Sequence, residues 1–294
     1  MKVKMKVKDT RSRLSVLTGV MLVLLVVYCA ALLTLIIWTA LTALKEPMAF
    51  NRNMSGLPHP FYFKNFGYVL QNAKMIKAQG EIAFSEIVWN SLLYSVGCAL
   101  ANTVVTCITA YLCARYVCGF SKFLYSLVLV VMVIPIIGSQ TSELEMSIKL
   151  GLYDKMLGMV VMRANFLGLY FLVFYDIFKS TPMAFSEAAE IDGAGDMQIM
   201  VKIFFPIASN TFLTVLLINF IGYWNNYQVP MVFVPNHPTL AEFLFYITQN
   251  TDALFTFVPV QMSASLLLLA PVVILFVAFN KKLLGNLSVG GVKG

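Results

Sequence analysis

Apolar runs, each close to the length that crosses a bilayer as a helix, alternate along this chain with short stretches carrying Lys, Arg, Gly and Pro. Six runs are read, at roughly 14–44, 87–111, 123–141, 157–178, 205–225 and 258–279. The pattern predicts an all-α integral membrane protein with six transmembrane helices. It divides the chain into a basic tail (1–13), a first helix (14–44), an extracytoplasmic loop (45–86), a core (87–283) containing a connection at 179–206, and a second tail (284–294).

The opening MKVKMKVKDTRSR has the basic character of a signal-peptide n-region. The apolar run behind it far exceeds the 7–15 residues of an h-region, so an uncleaved first helix is expected. Lys and Arg are retained on the cytoplasmic side of short loops. Placing both termini inside puts Lys2, Lys4, Lys6, Lys8, Arg115, Lys122, Lys179, Lys202, Lys281 and Lys282 there, the richer side. Arg163, early in an apolar run, is expected to snorkel to the outer interface.

Composition sharpens the picture. The 294 residues are 59% hydrophobic and 12% charged, against about half and a quarter in soluble domains. The net charge of +7 sits at membrane flanks and not along a groove with stacking aromatics. It therefore points to anionic lipid and topology, not to nucleic acid. Cys29, Cys98, Cys107, Cys113 and Cys118 lack metal-ligand spacing and read as free structural thiols. His59 and His237, both in expected outer loops, provide no cluster for a membrane enzyme.

Two outer segments, 46–86 and 228–257, carry prolines and aromatics suited to partly ordered structure on the membrane surface. The 179–206 connection, KSTPMAFSEAAEIDGAGDMQIMVKIFFP, says more. Thr181 can cap a helix whose first position is Pro182, and Gly193 suits the left-handed residue that ends it. Ala184, Ala188 and Ile191 form one stripe, with Glu187, Glu190 and Asp192 on other faces. Asp196 can cap a second helix leading into the fifth run, which Pro206 enters. A short, small-sided helix pair of this kind fits a mechanical handle, and by amphipathicity alone it equally fits an ordinary interfacial loop.

Polar groups inside spans are costly unless they meet a partner or an aqueous path. Tyr223, Trp224, Asn225 and Asn226 offer aromatic faces and amides to a sugar, or an interfacial anchor with helix-ending asparagines. Tyr170, Tyr175 and Gln140 suit either a polar lining or helix-to-helix hydrogen bonds.

The connection resembles the signature of binding-protein-dependent ABC importer permeases, EAA, three residues, G, nine residues, I, one residue, LP. Glu187, Ala188, Ala189, Gly193, Ile203 and Pro206 match in register, Phe205 replaces the usual leucine, and Asp192 fits the variant of carbohydrate permeases. KNFGYVL, WNSLLYS, IGYWNNYQVP and the ending GGVKG extend the resemblance over nearly the whole chain, most like the maltose and multiple-sugar branch. The resemblance implies a type I importer permease whose 187–193 helix couples to an ATPase. It also implies a tail of Gly290, Gly291, Val292, Lys293 and Gly294 reaching toward that ATPase. A homologous second permease, two ATPase subunits and an extracytoplasmic solute-binding protein would complete the assembly in a bacterial inner membrane. No cofactor is expected in this chain. GNLSVGGVKG lacks the P-loop order, since Gly291 follows Gly290 where lysine is required, so ATP and Mg belong to the partners. A secondary transporter would show inverted repeats and coupling carboxylates, neither of which is clear here.

Overall fold

The computed structural model describes residues 16–78, 80–134, 138–249 and 255–287; segments 1–13 and 290–294 lie outside them. The chain forms α1 (Val16–Ala43), α2 (Pro47–Arg52), α3 (Lys64–Asn72), a hairpin of β1 (Lys74–Lys77) and β2 (Gly80–Ala83), and α4 (Phe84–Arg115). Then come α5 (Gly119–Val133), α6 (Ser139–Lys149), α7 (Met156–Arg163), α8 (Leu169–Ser180), α9 (Ala184–Ile191) and α10 (Asp196–Ile199). A π-turn (Met200–Phe204) joins α10 to α11 (Phe205–Trp224), followed by α12 (Gln228–Phe233), α13 (Leu240–Gln249) and α14 (Val258–Leu287). Among the described residues four helices are long and apolar enough to cross a bilayer: Leu17–Ala43, Phe84–Arg115, Asp196–Trp224 and Val258–Phe279.

Helix α4 is the spine. Its 32 residues reach about 48 Å at 1.5 Å per residue. Ser91, Ser95, Ala99, Thr103, Thr106 and Ala110 are all buried and recur every three or four residues, so they form one stripe of small side chains. Such a stripe lets neighbouring backbones approach closely, which is how helices associate where lipid removes the hydrophobic drive. Helices α7, α8 and α11 pack on α4. Cys98, Cys107 and Cys113 are buried in it as free thiols, acting as further small residues. At one end Tyr111 meets Phe178 of α8 at 5.5 Å, in a cluster that also holds the fully buried Phe171 and Phe174. At the other, Ile87 packs with Met75 and Ile82 of the hairpin and with Phe243 of α13.

Helix α1 leans on α14 and leaves Leu17, Leu24, Leu25 and Leu35 more than half exposed. A helix apolar all round and covered by protein along only one side is matched to hydrocarbon.

Two of the six expected spans are not continuous helices. The third (123–141) divides into α5 and α6: Ile134 is extended because the next residue is Pro135, which disfavours the helical region before it. The 15 residues of α5 reach about 22 Å, short of a core of about 30 Å. The fourth (157–178) breaks between α7 and α8. The fifth begins earlier than expected, at Asp196. Pro206 lacks the N–H and crowds the carbonyl four residues back, and the ladder passes it through the π-turn, where Phe205 N–H donates to Met200 O. Segment 45–86 is more ordered than expected: Asn65 Nδ2 donates to Ala43 O and Lys45 O, both at 2.8 Å, fastening α3 to the end of α1.

The hairpin is fastened to α13 by a Lys77–Glu242 ion pair at 2.6 Å, with the Glu242 side chain 2% exposed. Burial pushes the Glu242 carboxyl up, and Lys77 opposes that shift. Lys77→Met should therefore cost about 3 kcal/mol at neutral pH by leaving the carboxylate unpaired. With the folded-state pKa raised further, the native state holds its proton more tightly than the unfolded chain. The loss should thus vanish below the ordinary carboxylate range and grow as pH rises above it. Thermal unfolding against pH, with hydrogen exchange in the hairpin, measures both.

Candidate functional site

Two polar constellations stand out, one inside the helix bundle and one at the Arg115 end of α4. The first surrounds the break in the fourth run. Ending α7 at Arg163 frees backbone carbonyls within an apolar region, where each needs a partner. Asn102 Nδ2 donates to Arg163 O and Asn165 O, both at 3.2 Å, and Thr106 Oγ1 donates to Asn165 O at 3.1 Å. Asn219 of α11 donates to Asn102 Oδ1 and Thr103 Oγ1 at 3.0 Å, closing a belt across α4, α7 and α11. The signal in the sequence was Asn102, Thr103 and Thr106 within the second apolar run, which sequence reasoning passed over.

Arg163, expected at the outer interface, has partners within its own chain. Its guanidinium pairs with Glu143 of α6 at 3.2 Å and lies 5.6 Å from the centre of the Phe233 ring. The side chain is 20% exposed, and its Nε is buried without a hydrogen-bond partner.

The expected path residues do not share one lining. Trp224 is buried and donates Nε1–H to Leu268 O at 2.9 Å, pinning α11 to α14. Asn226 Oδ1 accepts from Val229 N at the start of α12, while Asn225 Nδ2 donates back to Ile221 O. Tyr223 meets Tyr94 edge to face at 5.8 Å. Gln140 is exposed on α6. Tyr170 and Tyr175 lie with the aromatic cluster near Arg115, Tyr175 against Tyr125 at 4.7 Å.

The second constellation is α9 with α10. Gly193 has φ +80°; its N–H donates to Glu190 O at 3.0 Å and Ala194 N–H to Ala189 O at 2.9 Å. These are the paired bonds of a Schellman ending, as expected from Gly193. Two expected caps differ. Thr181 Oγ1 donates back to Ile177 O at 2.8 Å, so it closes α8 and does not open α9, which starts at Ala184. Asp196 is the first residue of α10, and Gly195 stands at its cap position.

What α9 and α10 present is unusual for a water-facing surface. Glu187, Ala188, Glu190, Asp192 and Asp196 are exposed. So are the large apolar Met183, Phe185, Ile191 and Met197, with Ile191 at 86% and Met197 at 69%. Large apolar side chains exposed beside acidic ones on a short, capped helix pair make this a candidate interaction surface. Ile203 lies half-buried in the π-turn and Pro206 is exposed at the start of α11. Behind the surface, Arg115 donates to Thr181 O at 3.1 Å and to Ser186 Oγ, with its guanidinium 4.3 Å from the Phe204 ring centre. Sequence reasoning used Arg115 only as a topology charge; its reach across 66 residues to Thr181 had no local signal.

Comparison with known proteins agrees with this geometry. The family described as binding-protein-dependent transport system inner membrane component matches residues 108–284. The melibiose/raffinose/stachyose import permease protein MelC of Bacillus subtilis is 28% identical over 70% of this chain and 75% of its own length. The multiple sugar-binding transport system permease protein MsmG of Streptococcus mutans is 26% identical over 83% of this chain and 88% of its own. In a solved bacterial ABC transporter involved in import of the acidic polysaccharide alginate, one chain superposes with a TM-score of 0.74, covering 95% of this chain and 99% of that one at 20% identity. At that identity the likeness establishes the fold.

The belt is testable by itself. Asn102→Leu removes three hydrogen bonds, one each to Arg163 O and Asn165 O and the one accepted from Asn219, and should cost about 2 kcal/mol, whereas Asn219→Leu removes two and should cost about 1 kcal/mol, at about 0.6 kcal/mol for each bond between helices. Thermal unfolding in detergent micelles should rank the two variants in that order.

Proposed function

Since the chain belongs to the family of binding-protein-dependent transport system inner membrane components, we propose that it is the permease half of an ATP-driven carbohydrate importer, with an oligosaccharide as solute. The observation that carries the reading is the EAA-type segment on an exposed, Schellman-capped helix whose apolar side chains lack cover from their own chain. The sugar assignment is supported by relatives named for melibiose, raffinose, stachyose and multiple sugars. A permease for another small solute such as glycerol phosphate is the second reading, and a secondary transporter the third.

In this account α9 is the coupling helix. Glu187, Ala188, Ala189, Asp192 and Gly193 enter a cleft of an ATPase subunit, while Ile203 and Pro206 carry the segment into α11. Two such ATPases bind and hydrolyse ATP with Mg; a homologous permease supplies the other half of the passage; and a solute-binding protein delivers the sugar outside. Both termini and α9 lie on the cytoplasmic side, which places the hairpin and α13 outside, at the opposite end of α4. The six-span reading treats α5 with α6, and α7 with α8, as broken crossings, and Asn102 and Thr106 bond the second interruption. Residues 290–294 extend toward the ATPases. Of the passage residues, Gln140 and Asn225 are exposed and Tyr170, Tyr175, Tyr223 and Asn226 are half-buried, so each has surface left for solute. ATP-driven closure of the ATPases moves α9 and reverses access between the permease halves.

Gly193→Val forces a β-branched residue into the left-handed region at about 1–3 kcal/mol, and Glu187→Lys reverses charge on the contact face. Each should lower ATP-driven uptake at least about tenfold in reconstituted vesicles, as loss of about 1.4 kcal/mol of coupling requires. Full uptake with both changes present would defeat the reading. Gradient-driven uptake by this chain without any ATPase would favour the secondary transporter. Mass analysis of the ligand retained by the purified binding protein decides between sugar and phosphate ester.

A further inference from the structure

Helix α9 is joined through the chain to α8 and, through α10 and the π-turn, to α11, yet its strongest side-chain fastening is to neither. Arg115, in the last turn of α4, donates one guanidinium nitrogen to Thr181 O at 3.1 Å, ahead of α9, and another to Ser186 Oγ within it. The face of the same group lies 4.3 Å from the centre of the Phe204 ring in the π-turn. One planar cation thus holds the approach to α9, α9 itself and the exit toward α11. A rigid fork with an aromatic stack suits that task, and a lysine, a point charge on a flexible stem, lacks the planar face that lies on Phe204. The next residue sets a second group against this surface, since burial and then the neighbouring Asp196 carboxylate at the start of α10 push the Tyr116 phenol up. Phe204 also packs on Tyr111 at 5.3 Å, so the clamp rests on the aromatic floor of α4.

The far end of α4 is bonded too. Leu240 N–H donates to Ser91 Oγ at 2.6 Å and Asn90 Nδ2 donates to Pro238 O at 3.3 Å. Segment 238–240 leads into α13, which holds Glu242 and through it the hairpin. A single helix is therefore hydrogen-bonded at one end to the α9–α10 surface and at the other to the segment at the opposite face of the molecule.

We propose that Arg115, assisted by Tyr116, is a positioning residue that makes α4 the receiving helix for force applied at α9, so that α4, α9 and α10 move as one body and carry displacement to segment 238–240. The proposal rests on α9 being the coupling helix and goes beyond that reading. It assigns the transmission to α4 and not to the chain-linked α8 or α11.

The test uses the complete transporter in lipid nanodiscs, with magnesium ATP and vanadate as the probe. Nitroxide pairs are placed at Leu100→Cys with Gln198→Cys, and at Ile274→Cys with Gln198→Cys, and read by pulsed electron paramagnetic resonance. On trapping, the distance from α10 to Ile274 on α14 should shift, by on the order of one helical turn, about 5 Å, while that from α10 to Leu100 on α4 stays constant. Arg115→Ala should transfer the shift to the α4 pair, Arg115→Lys should restore constancy in part, and Lys122→Ala, which removes a nearby exposed cation, should change neither. A shift in the α4 pair of the unaltered protein equal to that of the α14 pair overturns the proposal, as does constancy in Arg115→Ala. No shift in either pair would instead sink the coupling-helix reading. Should Arg115→Ala fail to insert, Ser186→Ala combined with Tyr116→Phe loosens the same clamp and is judged by the same two distances.

Discussion

Close approach of backbones along α4 is the constraint on which the rest of the structure depends. Between α4 and its neighbours the bilayer offers no hydrophobic gain, since lipid tails are as apolar as leucine, so association must come from dispersion and hydrogen bonds at short range. Ser91, Ser95, Ala99, Thr103, Thr106 and Ala110 make that range available because none projects beyond a few atoms. A leucine at any of these positions would push a neighbouring helix outward. The same shortness lets Ser91 and Thr106 reach backbone on other elements, so the stripe both packs and fastens.

The break between α7 and α8 becomes tolerable for the same reason. Irregular backbone at membrane depth survives only where protein satisfies it. Here the polar side chains of the stripe and its border, Asn102 and Thr106, take the carbonyls that the break releases. Beside the same break, at the last residue of α7, Arg163 pairs with Glu143 of α6. Packing, backbone satisfaction and charge placement in the middle of the bundle are consequences of one another.

At the Arg115 end the logic is reversed. Instead of hiding apolar groups, α9 and α10 hold Phe185, Ile191 and Met197 outward, supported from behind by the aromatic cluster around Phe204 and Phe178. A short helix has little intrinsic stability. The Schellman bonds at Gly193 and the clamp from Arg115 hold this one rigid while its outer face remains uncovered. Rigidity with exposure is the combination needed for a part that receives force from another subunit.

Much of this was legible in the sequence. Apolar run lengths gave the membrane class and the long helices; the glycine at 193 gave the end of α9; and the register of Glu187, Gly193 and Pro206 gave the family, because each rests on local geometry that neighbouring residues impose. Small residues every three or four positions in the second run were there to be read as well, as was the proline at 135 that ends α5. What the sequence could not carry were relations between distant residues: Arg115 with Thr181 and Ser186, Asn102 with Arg163 and Asn165, Lys77 with Glu242, and Trp224 with Leu268. Run length and capping depend on consecutive residues, so the chain itself determined them. Which polar group meets which was decided only when the helices packed, since the partner for a buried cation or a freed carbonyl is chosen by distance in space.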